Sequence, residues 1–360
     1  MDEEELTADE ELTAEEETEE RTLTPFRYSI TSYGADYPVD SLVKRIGDGS
    51  IFIPSFQRGY VWTLPQASRF VESLLLGLPV PGIFLSKDEP SQKLLVIDGQ
   101  QRLRTLQWFY EGVFAPTKKE FALQGVQSRF EGATYRKLAD EDRRRLDDAI
   151  LHATIVKQEE PSEDQSSVYY IFERLNTGGT ALRPQEIRSA IFHGAFNDLL
   201  EALNKSDAWR LLYGSIDARM RDRELILRFL ALYFFADDYK RPLKAFLNWY
   251  MGANRELRLQ GKGDLVVAFE PTVDLIATAI GTAAFRPRRG LNAAVCDSVM
   301  VGLARRLRAG SVTDKASVIA RYGELVGNDE FVAATERSTT DEESVRRRLA
   351  LATEAFSQVK

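Results

Sequence analysis

The stretch Leu94-Leu95-Val96-Ile97-Asp98-Gly99-Gln100-Gln101-Arg102-Leu103 decides how the N-terminal half of this chain folds. Leu94 to Ile97 is a short apolar run, the pattern of a buried strand, and Asp98 and Gly99 end it. Leu103, Leu106, Tyr110 and Val113 then supply an apolar stripe at helical spacing, closing near Gly112. A strand therefore runs through a glycine turn into a helix. The first turn of such a helix offers unpaired backbone N–H groups at the positive end of the helix dipole, a place that suits an anion. Gly99 lets the backbone approach a ligand closely. Gln100 and Gln101 carry amide donors, and Arg102 can fork onto a phosphate or a carboxylate. Asp98 can hold a divalent cation or orient a water. The plainer alternative is an ordinary capped helix, with Asp98 as N-cap and Arg102 paired on the surface.

Before this stretch, Val39 to Ile46 reads as a short helix closed by Gly47 and Gly49, and Ile51 to Ile53 as a brief strand stopped by Pro54. Pro65 to Gly77 reads as an amphipathic helix, with Ala67, Phe70, Val71, Leu74, Leu75 and Leu78 on its apolar face. Pro79 and Pro81 break it, and Ile83 to Ser86 is a strand candidate. After it, Leu138 to Asp148 reads as a charged helix and Ile150 to Gln158 as a strand. Ser162 with Gln165 forms a capping-box pattern that opens a helix on Val168, Ile171, Phe172 and Leu175. Asn176 to Thr180 ends it, and Pro184 starts the next. From about Ser206 strand signals largely vanish. Arg221 to Phe235, Leu243 to Leu259, Leu265 to Ile280, Leu291 to Leu307 and Val345 to Phe356 read as helices, with Pro271 a kink or restart in the third. The expected class is α+β. An acidic tail over residues 1–24 precedes an α+β domain over 25–205 and an all-helical domain over 206–360, with no Gly/Pro/Ser linker at the boundary.

Two further segments could carry chemistry. Ile53-Pro54-Ser55-Phe56-Gln57-Arg58-Gly59-Tyr60-Val61-Trp62 mixes aromatics, which can stack a base, with Gln57 and Arg58, which can reach phosphates or base edges. Alternatively its aromatics are core anchors of an irregular loop. Phe172 to Thr180, followed by Glu186-Ile187-Arg188, joins a helix end to two glycines and small polar groups, either an anion-binding nest or a glycine C-cap and turn.

The three segments together resemble the N-terminal domain family of GmrSD-type modification-dependent restriction systems. The matching residues are Pro54, Gln57, Arg58, Tyr60 and Trp62; then Asp98 to Arg102 with Thr105; then Arg174, Asn176 and Gly179; then Glu186 and Arg188. The resemblance covers roughly residues 38 to 200; over the helical half it is weak. One departure is Arg183, where a Ser or Thr cap before Pro184 is more usual. The resemblance implies a ParB/sulfiredoxin-like fold that binds nucleotide phosphates at a helix start. It implies a catalytic set of Asp98, Gln100, Gln101 and Arg102, with Asp98 holding Mg²⁺. Gln57, Arg58, Gly99, Thr105, Arg174, Asn176, Thr177 and Gly178 would bind the nucleoside triphosphate. It also implies a place in an anti-phage system that couples NTP hydrolysis to a nuclease.

Composition bounds the rest. The chain has 360 residues, 44% hydrophobic and 28% charged, which suits a soluble protein of about two domains. No apolar stretch is long enough to span a bilayer, and no secretory pattern opens the sequence. Cys296 stands alone, so an intrachain disulfide and a thiolate metal cage are excluded, and a cytoplasmic setting is expected. The net charge of −8 arises in the first 20 residues, which hold 12 of the 55 acidic residues and no Lys or Arg. That tail either solubilises the chain or shields a basic groove from nucleic acid. Arg286, Arg288 and Arg289, in a stiff loop, are the best nucleic-acid candidates, against the reading of a plain surface loop. His152 and His193 are the only histidines and read as structural, so a His-Asn-His nuclease half is not expected. The expected function is Mg²⁺-dependent NTP binding and hydrolysis, with DNA and a separate nuclease or defence component as partners and the oligomeric state open. The alternatives are a nucleotide-gated binding module without turnover, and a DNA nuclease or toxin.

Overall fold

The computed structural model describes residues 29–53, 60–88, 91–160, 169, 171, 182–288 and 290–360. It divides into two compact units, 28–182 and 183–360. The sequence pattern predicts a boundary at 205/206. In the structure Pro184–Ile191 and Ala195–Leu203 group with the helical unit instead. No helix among the described residues is long and apolar enough to cross a membrane.

The first unit is built on a five-stranded mixed sheet of order β1-β7-β3-β4-β2. β1 spans Ser29–Pro38, β2 Ile51–Phe52, β3 Ile83–Lys87, β4 Leu94–Asp98 and β7 Ile150–Glu160. Val113–Phe114 and Lys119–Glu120, β5 and β6, form a separate small hairpin. β3 runs antiparallel to β4 and parallel to β7, and β2 runs parallel to β4. Side chains alternate across a strand, so Leu94 and Val96, Ile83 and Leu85, and Leu151, Ala153 and Ile155 share one face. All are buried in one core with Leu74 and Leu75 of helix α2 (Leu64–Leu75) and Leu103, Leu106 and Phe109 of α3 (Gln100–Glu111). Val39 and Leu42 of α1 (Val39–Gly47) join them, and α4 (Asp140–Asp147) adds Leu146.

Reading periodicity finds β3, β4, α2 and α3 within a residue or two of their ends. It misses β1, because that edge strand buries almost nothing: Thr31, Ser32, Tyr33, Gly34 and Asp36 are all exposed, so no alternation betrays it. Of the helix expected from Ser162 only Tyr169 and Ile171 are described, both helical, and the loop 176–180 and the acidic tail lie outside the described residues.

The second unit is helical among its described residues. Its helices are α5 (Pro184–Ile191), α6 (Ala195–Leu203), α7 (Asp207–Tyr213), α8 (Arg221–Phe235), α9 (Leu243–Ala253), α10 (Lys262–Ala279), α11 (Ala293–Arg308), α12 (Lys315–Val326), α13 (Asp329–Glu336) and α14 (Glu342–Ser357). Pro271, expected to kink or restart α10, sits inside one continuous helix. The helix α11 runs through the middle and is buried from Ala293 to Ala304. A Cβ on its Gly302 would fall 2.8 Å from the carbonyl oxygen of Ala352 in α14, so this crossing needs glycine.

Several charges in this unit are buried. Asp297 of α11 is fully buried and accepts from Arg228 Nη2 at 2.7 Å and Arg348 Nη2 at 3.4 Å. Arg348 also donates to the Thr339 carbonyl, and burial pushes its pKa down to about 10. One carboxylate thus compensates two buried guanidinium groups. Breaking such an arrangement strands charge in a low-dielectric interior and costs about 3–5 kcal/mol. Asp297→Ala is expected to destabilise the helical unit by that order, read as an earlier urea-unfolding transition of the full chain. An unchanged midpoint would show that the two arginines need no counter-ion.

Candidate functional site

The turn between β4 and α3 is shaped by one residue. Gly99 caps α3 with φ 103° and ψ 8°, a left-handed conformation that L side chains rarely adopt. A Cβ there would also fall 2.4 Å from Ile83 Cγ2. Gly99 is therefore the cap, and Asp98, the N-cap of the plainer reading, is instead the last residue of β4. A β-bulge lies between Phe84 and Leu85, where β3 meets the end of β4, and Asp98 pairs with Phe84.

Arg102 closes the turn. Its Nη1 donates to the Gly82 carbonyl at 2.9 Å and lies 3.5 Å from Asp98 Oδ2. The Arg102 side chain is 18% exposed and that of Asp98 47%. Gly82 is pressed in turn against β7, where a Cβ would come within 2.7 Å of the His152 carbonyl oxygen. Arg102 thus ties the start of α3 to the start of β3, and part of its guanidinium is committed to the fold.

Gln101 reaches the other way. Its Oε1 accepts from the backbone N–H of Val61 at 3.0 Å and of Trp62 at 3.4 Å. Thr105 Oγ1 donates to the Gln101 carbonyl at 2.7 Å and lies 2.6 Å from the Tyr60 hydroxyl. A threonine hydroxyl has one proton, so with that proton on Gln101 it is Tyr60 that donates to Thr105. Two motifs that sequence alone could only juxtapose are thereby joined through Gln101 and Thr105.

The aromatics of the first motif are core anchors where they are described. Tyr60 packs edge-on against Trp108 with ring centroids 4.5 Å apart, and Trp62 against Phe70 at 5.7 Å. Thr105, expected to touch nucleotide, has no exposed surface and positions Tyr60 instead. Gln100 is buried to 7% exposure. Gln57, Arg58, Arg174, Asn176, Thr177 and Gly178 lie outside the described residues, as do Phe56 and Arg289.

Glu186 and Arg188 belong to the helical unit and serve its packing. Glu186 Oε2 accepts from the Arg183 backbone N–H at 2.6 Å and from Arg219 Nε at 3.0 Å. The carboxylate half of a capping box therefore persists although Arg183 cannot supply the hydroxyl half. Arg188, 1% exposed, donates to Asn248 Oδ1 at 2.8 Å and lies 3.0 Å from Glu224 Oε2.

The described arginines of the basic loop have partners within the helical unit. Arg286 donates to the carbonyls of Leu212 and Tyr213, both at 2.6 Å, and so caps the C-terminus of α7. Arg288 pairs with Glu336, an acidic neighbour supplied by a helix distant in sequence. His152 lies on β7 with Nδ1 2.8 Å from Asp36 Oδ1, and the His193 carbonyl accepts from Arg255. Among the described residues no group of three or more His, Cys, Asp or Glu is arranged to hold a metal ion. Mg²⁺ commonly binds one carboxylate and takes its other ligands from phosphates and water, so the exposed Asp98 carboxylate fits that role as a single protein donor.

Sequence reasoning missed Gly82 and Arg104. Gly82 gave no signal, because its need arises only from strand pairing. Arg104 falls between the quoted motif residues Arg102 and Thr105, where its charge alone marked nothing.

Burial pushes the Tyr60 hydroxyl up to about 12 from its ordinary value of 10.0. A raised pKa favours the neutral phenol in the folded state. The stabilisation is therefore complete below pH 10 and lost as pH rises from 10 toward 12. Thermal midpoints measured across that range are expected to fall, and Tyr60→Phe to make the fall shallower. An identical slope in the variant would remove Tyr60 from the alkaline transition.

No curated protein matches the chain. Residues 39–193 match the family model described as GmrSD restriction endonuclease, N-terminal domain, and this part of the chain is similar to that domain.

Proposed function

We propose that the first unit binds a nucleoside triphosphate with Mg²⁺ at the Asp98–Arg102 turn and hydrolyses it, in the service of phage restriction. The observation that carries this reading is the join between the two motifs: Gln101 holds Val61 and Trp62, and Tyr60 holds Thr105. The segment bearing Gln57 and Arg58 therefore leads directly into residues fixed on the glycine turn. The family match supports the restriction role, since its members are described as parts of a restriction endonuclease. On this reading the sheet and turn are a ParB/sulfiredoxin-like arrangement.

The roles follow from the chemistry of each group. The start of α3, capped by a residue with no side chain, presents its dipole to the phosphates. Arg102 keeps the turn closed and offers its remaining N–H groups to a phosphate oxygen. Gln100 and Gln57 orient the phosphates or the attacking water, and Arg58 adds positive charge. Arg174, Asn176, Thr177 and Gly178 complete the nucleotide pocket. Asp98 would hold Mg²⁺, whose contribution is to neutralise charge on the phosphate oxygens. Phosphoryl transfer needs little beyond such positioning and charge, so no covalent intermediate on the protein is required. The helical unit would engage DNA or a nuclease partner.

A second reading has its own observation. Arg102 is already bonded to Gly82 and paired with Asp98, an arrangement suited to a turn that tightens on a ligand without turning it over. Phosphate release from GTP, CTP, UTP and ATP with Mg²⁺, measured beside direct nucleotide binding, separates the two. Hydrolysis by the wild type, reduced on the order of a hundredfold in Arg102→Ala, is expected from loss of one charge-stabilising donor. Binding without release would instead establish a nucleotide-gated switch. A wild type that neither binds nor hydrolyses any of the four would sink both readings.

A further inference from the structure

Arg104 is unlike the other arginine of its turn. Its Nε is buried and has no hydrogen-bond partner, and among the described residues no carboxylate pairs with its guanidinium. Nor is it fully enclosed: part of its surface remains accessible. Burial lowers its pKa with no neighbouring anion to offset the effect. A guanidinium half removed from water without a counter-charge is costly, and an arriving anion would offset that cost.

Its place on the helix indicates which anion. Arg104 lies in the second turn of α3, four residues after Gln100, and residues four apart share one helix face. Side chains on a helix lean toward its N-terminus, so a side chain as long as that of Arg104 can extend along the face of Gln100 toward the end where the dipole is positive. The core face, Leu103, Leu106 and Phe109, lies elsewhere on the same helix. Gln101, Thr105 and Trp108 face Tyr60 and the segment that follows it. Arg102, by contrast, is tied to Gly82 and Asp98.

We propose that Arg104, and not Arg102, is the principal cation binding the polyphosphate of the nucleotide, while Arg102 is a positioning residue that holds the turn closed. The proposal rests on the nucleotide-binding reading above. It goes further by assigning the phosphate contact to a residue outside the Asp98–Arg102 stretch.

The test is equilibrium binding of a nucleoside triphosphate and of the monophosphate of the same base, with Mg²⁺, to the full chain and to Arg104→Met and Arg104→Lys. Thermal midpoints are measured without nucleotide in parallel. Arg104→Met is expected to weaken triphosphate binding by about tenfold or more, the usual effect of deleting a charge-assisted bond. Monophosphate binding should change much less, and Arg104→Lys should recover part of the loss. The nucleotide-free midpoint of Arg104→Met should be unchanged or higher, since an unpaired buried charge has been removed. Equal triphosphate binding by wild type and Arg104→Met would overturn the assignment and leave the nucleotide reading standing. A midpoint that falls, with triphosphate and monophosphate affected alike, would overturn it in favour of a packing role. Absence of nucleotide binding by the wild type would overturn the parent reading together with the assignment.

Discussion

The first unit depends on one close approach: the backbone of Gly99 lies against the Ile83 side chain in a conformation with positive φ. Everything at the candidate site follows from that contact. It lets α3 leave the end of β4 at an angle that buries Leu103, Leu106 and Phe109 against the sheet. It puts Arg102 within reach of Gly82, and Gln101 within reach of Val61 and Trp62. A side chain at position 99 would meet both obstacles at once, backbone strain and steric overlap, and each alone is worth on the order of 1–3 kcal/mol. The polar motif around it is in large part a device for holding that turn in one geometry.

The helical unit solves a different problem by similar means. Its long-range packing is pinned by buried charge: Arg228 and Arg348 on Asp297, Arg188 between Asn248 and Glu224, and Arg210 on Asp222. Buried ion pairs add little net stability compared with apolar packing, but they strongly penalise wrong partners. In a bundle where many helices carry interchangeable apolar faces, such pairs select one arrangement. This explains why the Glu-Ile-Arg part of the family signature occurs in helix α5 with no exposed role for Arg188. In this chain Glu186 and Arg188 serve packing.

How much of this was legible in the sequence depended on whether a residue's role is local. The strand–turn–helix at 94–112 is written in adjacent residues, and its reading held. The apolar face of Leu64–Leu75 is a periodic signal and held as well. Pro271 left a kink or a restart open, and α10 runs through it without a restart. The partners of Arg286 and Arg288 were not legible in the sequence. Local sequence shows a basic loop, but the acceptors, the carbonyls of α7 and the carboxylate of Glu336, come from far along the chain. The aromatics Tyr60 and Trp62 left two readings open, and tertiary packing against Trp108 and Phe70 chose the core. At the candidate site the residue types were legible, but the direction each one faces was not.

That distinction bears on how such a turn could hold a polyanion at all. Asp98 and Arg102 carry opposite charges 3.5 Å apart and largely cancel. Before any metal ion binds, those two side chains add little net charge to the helix dipole, which is equivalent to about half a charge and screened within a turn. Arg104 changes the balance, because no described carboxylate neutralises it, and the local sum becomes positive by one charge. A motif can therefore be saturated by its own internal bonds and still present a positive charge, provided a further cation follows it on another face of the helix. Structural closure and ligand attraction are then assigned to separate side chains, and substitution at one need not disturb the other.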